Sequence, residues 1–461
     1  GFLFGYDTAV ISGCNTFLQS HFDLSSAMLG WVVSSALLGT IIGCVVSGII
    51  TDRIGRKRTL LIAAFLLSLS AVGCMLVPNF HHKVIGFWFT MDKQYAFQWL
   101  VSFRMIGGVG VGITSVVAPI YISELTPADR RGRMVSFYQL SITLGILVAF
   151  LVDWIILNTA GLSAGVLTYG NPSFFHWIFV EEIWRGMFGT ELPIAIAFFI
   201  LLFFTPESPR WLATKQRSEE ASLIMTRIMG EELAQKEMSE IAKRPTSKTK
   251  GVKELFSAEM RTPLAIGILL PMFSHLSGIA AIMYFAPNIL NESMNSVEGS
   301  FFGAVLVGIV NSLFTIVAIS KIELFGRKRL LMIGVIGAFV SLASVGLLFA
   351  IDSPYVIVPL LFYVASFAFS YGPIVWVIIS EIFPTNIRGL AVSMGSFSLM
   401  ATGFVITLSN PVLFKSISPS GTFFLYALLT LPAIGFIWKF VPETKGKSLE
   451  EIEAFWKEKK N

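Results

Sequence analysis

Residues 52–58 read DRIGRKR, and residues 323–329 read ELFGRKR. The first stretch follows the second long apolar run of the chain, and the second follows the eighth. Two further pairs keep the same order: SELTPADRRGR (123–133) with SEIFPTNIRG (380–389), and PESPRWL (206–212) with PETKGKSL (442–449). Three ordered repeats at this spacing imply that the chain is a duplication, with each copy of a motif closing the second, fourth and sixth run of its half.

The runs themselves set the class. Of 461 residues, 54% are hydrophobic and only 14% are charged, far less charge than a water-exposed chain of this length carries. Apolar stretches of ~20 residues recur, long enough to cross a hydrocarbon core of about 30 Å. They do not alternate as barrel strands would. The expected fold is an all-α membrane protein of twelve transmembrane helices in two six-helix bundles, with short helices outside the membrane. The boundaries predicted are 1–205 for the first bundle, with its first helix incomplete, and 206–261 for a polar helical linker. The second bundle follows at 262–441, then a terminal helix at 442–461, started by the capping box Ser448-Leu-Glu-Glu451. Residues 244–250, RPTSKTK, read as a flexible basic linker.

A net charge of +5 could point to nucleic acid, but its distribution points to topology. With the N-terminus inside, 29 of the 34 Lys and Arg residues fall on one side of the membrane. Both chain ends are therefore expected to be cytoplasmic in a multi-pass protein of the plasma or inner membrane. Cys14, Cys44 and Cys74 each sit in an apolar run and suggest no disulfide framework. The sequence has no metal cluster, nucleotide loop or nucleophile–base set, so neither an enzyme nor a cofactor is expected. The bilayer, a small solute and a proton are the partners expected, with no nucleic acid and no obligate protein partner.

Several charges stand where charges are costly. Asp7 interrupts GFLFGYDTAV, Arg104 lies in VSFRMIGG, and Glu191 opens the sixth run. Burial disfavours the ionised carboxylate, which suits such a group to taking up and releasing a proton, and Arg104 is the plausible counter-charge of Asp7. The other reading is a static ion pair. At the mouths of the runs, Asp52, Arg53, Arg56, Glu124 and Arg131 in the first half are echoed by Glu323, Arg327, Glu381 and Arg388 in the second. Paired across the two bundles, they would form a cytoplasmic gate that breaks to open; the alternative is ordinary membrane-edge charge.

Taken together, GFLFGYDTAVISG, RMIGGVGVG, PIYISELTP, PESPRWL, YGPIVWVIISEIFP and VPETKGKSLEEIE resemble the sugar porter family of the major facilitator superfamily over nearly the whole chain. Within the family the chain looks most like bacterial xylose–proton symporters. The resemblance implies a central sugar site between the bundles, with Gln139, Asn311 and Trp376 at ligand positions and Tyr284 as a gating tyrosine. It also places Asp7, Arg104 and Glu191 at the proton-coupling positions. The seventh helix departs from the pattern: in SHLSGIA, Ser274, His275 and Ala280 stand where amides are usual, although Gly278 is kept. Ile146 and Met400 are apolar at two further ligand positions. His275 reads equally as a new ligand or titrating group and as a neutral imidazole bonded to a neighbour. The expected function is proton-coupled symport of a monosaccharide or polyol-like solute by alternating access. The alternatives are a carrier or exporter of a less polar metabolite, or a solute sensor that does not transport.

Overall fold

The computed structural model describes residues 1–78, 92–127, 130–163, 174–243, 254–384, 387–445, 451 and 456. Its regular elements there are all helical. In a hydrocarbon core no water bonds the backbone, so each crossing segment must satisfy its own amides and carbonyls, and a helix does so. The membrane helices are α1 (Phe2–Phe22), α2 (Ser26–Ile54), α3 (Arg56–Met75), α4 (Lys93–Leu125) and α5 (Arg131–Ser163). They continue with α6 (Ile183–Phe203), α7 (Arg261–Met294), α8 (Val297–Phe325), α9 (Arg327–Ala350) and α10 (Pro354–Ile382). The last helical stretch, Arg388–Phe440, is 53 residues long and turns at Ser418, where φ is 65°. It therefore counts as two crossings, α11 (388–417) and α12 (419–440), which brings the described membrane helices to twelve. Three short helices, Pro209–Thr214, Ser218–Met229 and Glu231–Lys243, follow α6. The basic linker 244–250 and most of the helix expected from Ser448 lie outside the described residues.

The repeated motifs turn out to be a repeated structure. Gly55 (φ 97°) separates α2 from α3, and Gly326 (φ 84°) separates α8 from α9. At each site a carboxylate from the end of the half caps the new helix. Glu207 accepts from the amides of Arg56 at 2.9 Å and Lys57 at 3.1 Å, and Glu443 from those of Arg327 at 2.9 Å and Lys328 at 3.2 Å. A Cβ on Gly55 would come within 2.3 Å of Glu207 Oε2, and one on Gly326 within 2.6 Å of Glu443 Oε2. Glycine is thus demanded twice over, by backbone conformation and by the carboxylate pressed against it. Anions at helix N-termini are also favoured by the free amides and the helix dipole.

The two halves meet away from these motifs, at what is here called the far end. Asn15 of α1 donates to the carbonyl of Tyr284 on α7 at 2.8 Å, and Asn288 donates to Thr16 at 3.2 Å. The rings of Trp154 on α5 and Phe302 on α8 lie 5.8 Å apart. Gly30 of α2 lies so close to α11 that a Cβ would approach the Leu408 carbonyl to 2.2 Å.

Replacing Glu207 by Ala should remove the cap of α3 and lower stability by about 1–2 kcal/mol, with Glu443→Ala doing the same for α9. Thermal unfolding of the purified protein in detergent checks this. Midpoints equal to that of the unaltered protein would count against the caps.

Candidate functional site

The buried charges of the first half come together. Asp7 is 3% exposed and Arg104 is 1% exposed, and Nη1 of Arg104 donates to Oδ1 of Asp7 at 2.5 Å. The guanidinium also lies 5.7 Å from the centre of the Phe188 ring on α6. Glu191, 2% exposed, begins the second segment of α6 after a turn at Thr190, and interacts electrostatically with both Asp7 and Arg104. Tyr6, next to Asp7, shares a hydrogen bond of 2.7 Å with the Thr190 hydroxyl and so ties α1 to that turn. Nε and Nη2 of Arg104 and Oε1 of Glu191 have no partner among the described residues. One cation thus faces two acids, one of which it holds directly.

The helices expected to carry the solute site are broken where the site should be. α7 is helical from Arg261 to Leu276, passes through Ser277 and Gly278 (φ 86°), and resumes from Ile279 to Met294. Remote tyrosines hold the break. The Tyr363 hydroxyl meets the Ser277 hydroxyl at 2.8 Å and donates to the Ser277 carbonyl at 2.9 Å. Tyr426 lies against Gly278, so that a Cβ there would come within 2.5 Å of its ring, and its own hydroxyl donates to Asn410 Oδ1 at 2.9 Å. A second irregularity at Phe285 (φ −132°) follows Tyr284 directly. α10 is likewise split at Ser370, and Trp376 rides on its second segment.

The expected ligand positions differ in what they offer. Ser274 is buried and spends its hydroxyl proton on the Pro271 carbonyl at 2.8 Å. His275 is half-buried, with Nδ1 3.4 Å from the Ser274 hydroxyl and its ring against Gly403 of α11. Gln139 and Trp376 are half-buried, while Asn311 is buried on α8. Ile146, Ala280, Tyr284 and Met400 belong to one buried apolar cluster that runs through both halves. The amide-poor positions therefore face a common interior.

The charges at the motif end depart from the sequence expectation. Arg56 forms a double hydrogen bond with Glu124, at 2.8 and 2.9 Å, and Arg327 Nη2 donates to Glu381 at 2.9 Å. Both pairs lie within one half rather than across two. Ser208 and Thr444 add hydroxyl donors to the same acids, each at 2.5 Å. The physical reason is reach: each arginine opens the helix that follows its glycine turn, beside the acid that ends the fourth helix of the same half. Asp52 lies 3.9 Å from Arg56, Arg53 is exposed, and Arg388 donates to the Phe383 carbonyl. The side chains of Arg131 and Glu323 lie outside the described residues.

One acid escaped the reading of the sequence. Asp153 on α5 is 1% exposed, and its signal, a single carboxylate in AFLVDWIIL, was the same as that of Asp7.

Comparison with known proteins identifies the family. The family profile described as "Sugar (and other) transporter" matches residues 1–456. The D-xylose-proton symporter of Escherichia coli (strain K12) is 36% identical, covering 99% of this chain and 93% of its own length. The arabinose-proton symporter of Bacillus subtilis (strain 168) is 34% identical over 99% of this chain and 92% of its own. The inward open conformation of the xylose transporter XylE from E. coli superposes with a TM-score of 0.80 at 36% identity, covering 99% and 97% of the two chains.

Gly278→Ala would place a methyl group against the Tyr426 ring at a positive φ. It should destabilise the protein by at least about 1–3 kcal/mol and weaken solute binding, as read by thermal unfolding and by equilibrium binding. An unaltered midpoint would show that the break in α7 is not held in this way.

Proposed function

Because the chain belongs to the sugar (and other) transporter family, a family of multi-pass membrane transporters, we propose that it is a proton-coupled symporter of a monosaccharide or polyol-like solute, working by alternating access. The observation that carries this reading is the buried Asp7–Arg104 pair with Glu191 beside it. A carboxylate held by a fixed cation is released when it takes up a proton, and the arginine is then free to rearrange. That links one proton to a change in how α1, α4 and α6 pack. In the bilayer, 1–205 and 262–441 act as the two moving bundles, 206–261 and 442–461 brace them on the inner face, and both ends are cytoplasmic.

Contacts joining the halves at the far end match an inward-facing state. Solute would sit between the halves, where Gln139 and Asn311 offer amides, Trp376 an aromatic face for the C–H side of a ring, and Tyr284 closes over it. Ser274, His275, Ala280, Ile146 and Met400 lower the hydrogen-bonding capacity of that space. This supports, as a second reading, a less polar metabolite. Arg56 with Glu124, and Arg327 with Glu381, keep each bundle rigid at its inner mouth. With Asp52, Arg53, Arg131, Glu323 and Arg388 they form the rims that meet when the inner side closes.

Uptake into proteoliposomes, screened over pentoses, hexoses, polyols and glycosides with and without an inward proton gradient, tests the reading. A solute accumulated only with the gradient supports it, and the absence of any such solute counts against it. Asp7→Asn keeps shape and a hydrogen-bonding group but cannot carry the proton. It should abolish gradient-driven accumulation while leaving solute exchange. Full accumulation by this variant would exclude coupling through Asp7. Gln139→Ala should weaken solute binding by about 0.5–1.5 kcal/mol, roughly two- to thirteen-fold, in equilibrium binding. Unchanged affinity would remove Gln139 from the site.

A further inference from the structure

The break in α7 stands between two sets of partners. Its first segment, Arg261–Leu276, is built into the second half: Ser398 of α11 donates to the Ile268 carbonyl at 2.9 Å, and the His275 ring lies against Gly403. Its second segment, Ile279–Met294, reaches the first half, where Asn15 bonds the Tyr284 carbonyl and Asn288 bonds Thr16. The expected ligand positions divide in the same way, Ser274 and His275 before the break, Ala280 and Tyr284 after it. The bend at Ser277–Gly278 therefore sets both the shape of the solute space and the reach of α7 to α1.

The hydrogen bonds at the bend show what holds it. In an unbroken helix the Ser274 carbonyl accepts from Gly278 and the Ser277 carbonyl from Ala281. Here the Gly278 amide donates to the His275 carbonyl at 3.0 Å, and side chains take the other two carbonyls. The Ser277 hydroxyl donates to the Ser274 carbonyl at 2.6 Å, and the Tyr363 hydroxyl donates to the Ser277 carbonyl at 2.9 Å. Ser277 and Tyr363 are both fully buried, where an unmet carbonyl is costly. The two donors differ in origin. Ser277 belongs to α7 and travels with it. Tyr363 belongs to the first segment of α10, Ile357–Phe369, which packs against the second segment of α7. Of these two bonds, only that of the tyrosine ties the bend to another helix.

The bend also has an alternative. Straightening α7 returns the Ser277 carbonyl to the Ala281 amide and releases Tyr363. Glycine at 278 admits both the φ of 86° found here and the negative φ of a helix.

We propose that Tyr363 is a positioning residue: its hydroxyl holds α7 bent and so holds the far end closed, and the far end opens as α7 straightens and gives up this bond. α10 thereby sets the angle at which the second segment of α7 meets α1, and the two broken helices work as one unit.

The proposal rests on alternating access as read above, and a measurement without solute separates it from symport. Val305 is buried on α8 between Phe301, whose ring lies 6.4 Å from that of Phe17 on α1, and Gly308, which lies against Leu147 of α5. Val305→Cys therefore reports opening of the far end. Ser396 lies one turn from Met400 toward the motif end, on the same face of α11, and Ser396→Cys reports opening of the inner side. Each variant is labelled as full-length protein in detergent with a polar maleimide, and labelling of the native Cys14, Cys44 and Cys74 in the parent chain is subtracted. Adding Tyr363→Phe should raise labelling at position 305 and lower it at position 396, each by about five-fold, as expected when one state of two loses one hydrogen bond. Unchanged rates overturn the proposal, and so do rates that rise at both positions, which is what a merely loosened structure gives. Should Tyr363→Phe fail to fold, Gly278→Ala, which disfavours the left-handed φ of the bend, is read in its place. The same opposed changes are expected, and unchanged rates again overturn the proposal. Opposed changes in a protein that accumulates no solute with the proton gradient support the role of Tyr363 and count against symport alone.

Discussion

A guanidinium inside a hydrocarbon slab must be matched, and Arg104 is matched by Asp7. That requirement organises the first half. It fixes the register of α1 against α4, brings Phe188 of α6 over the cation, and places Glu191 within its field. One positive charge balances one of the two acids, so the cluster is neutral when it carries a single proton and short of charge balance when it carries none. A buried site whose neutrality depends on one proton suits the proton coupling proposed above. Removing a partner would leave a charge that the bilayer penalises heavily, which is why the three residues act as a unit.

The motif end follows a different rule. There the carboxylates of Glu207 and Glu443 meet freed backbone amides, and Glu124 and Glu381 meet the arginines that open the capped helices. Both sets close within a half. Alternating access needs two bodies that keep their shape while their relation changes, and clamps of this kind supply the rigidity. What changes is the contact between halves, which here consists of a few amide bonds, aromatic pairs and close backbone approaches at the far end.

Much of this was legible in the sequence, for identifiable reasons. Hydrophobic length set the crossings, the ordered repeats set the duplication, and lone charges in apolar runs marked Asp7, Arg104 and Glu191. Three features were not legible. The break at Ser277–Gly278 depends on residues far along the chain, Tyr363 and Tyr426, and neither it nor the split at Ser370 shows in average hydropathy, which does not see a single φ. Charges at helix mouths do not announce which half their partner is in, so pairs read as bridging proved internal. Asp153 carried the same signal as Asp7 but has no arginine paired with it among the described residues, and its place against Gly13 of α1 is visible only in the fold.

The two halves are duplicates in their motifs and unlike in their interiors. α1 runs unbroken through Asp7, whereas its counterpart α7 is interrupted at Gly278 and again at Phe285. An unbroken helix transmits a displacement along its length, and an interrupted one absorbs it at the break. The halves meet at Asn15, eight residues or about 12 Å along α1 from Asp7, where its side chain bonds the Tyr284 carbonyl beside the Phe285 irregularity. A change in how Asp7 is held therefore has a path along α1 to the interrupted helix α7, through the Asn15 bond to the Tyr284 carbonyl and the Asn288 bond to Thr16. In the proposed symport, these bonds would join the charge cluster to the helices expected to hold the solute.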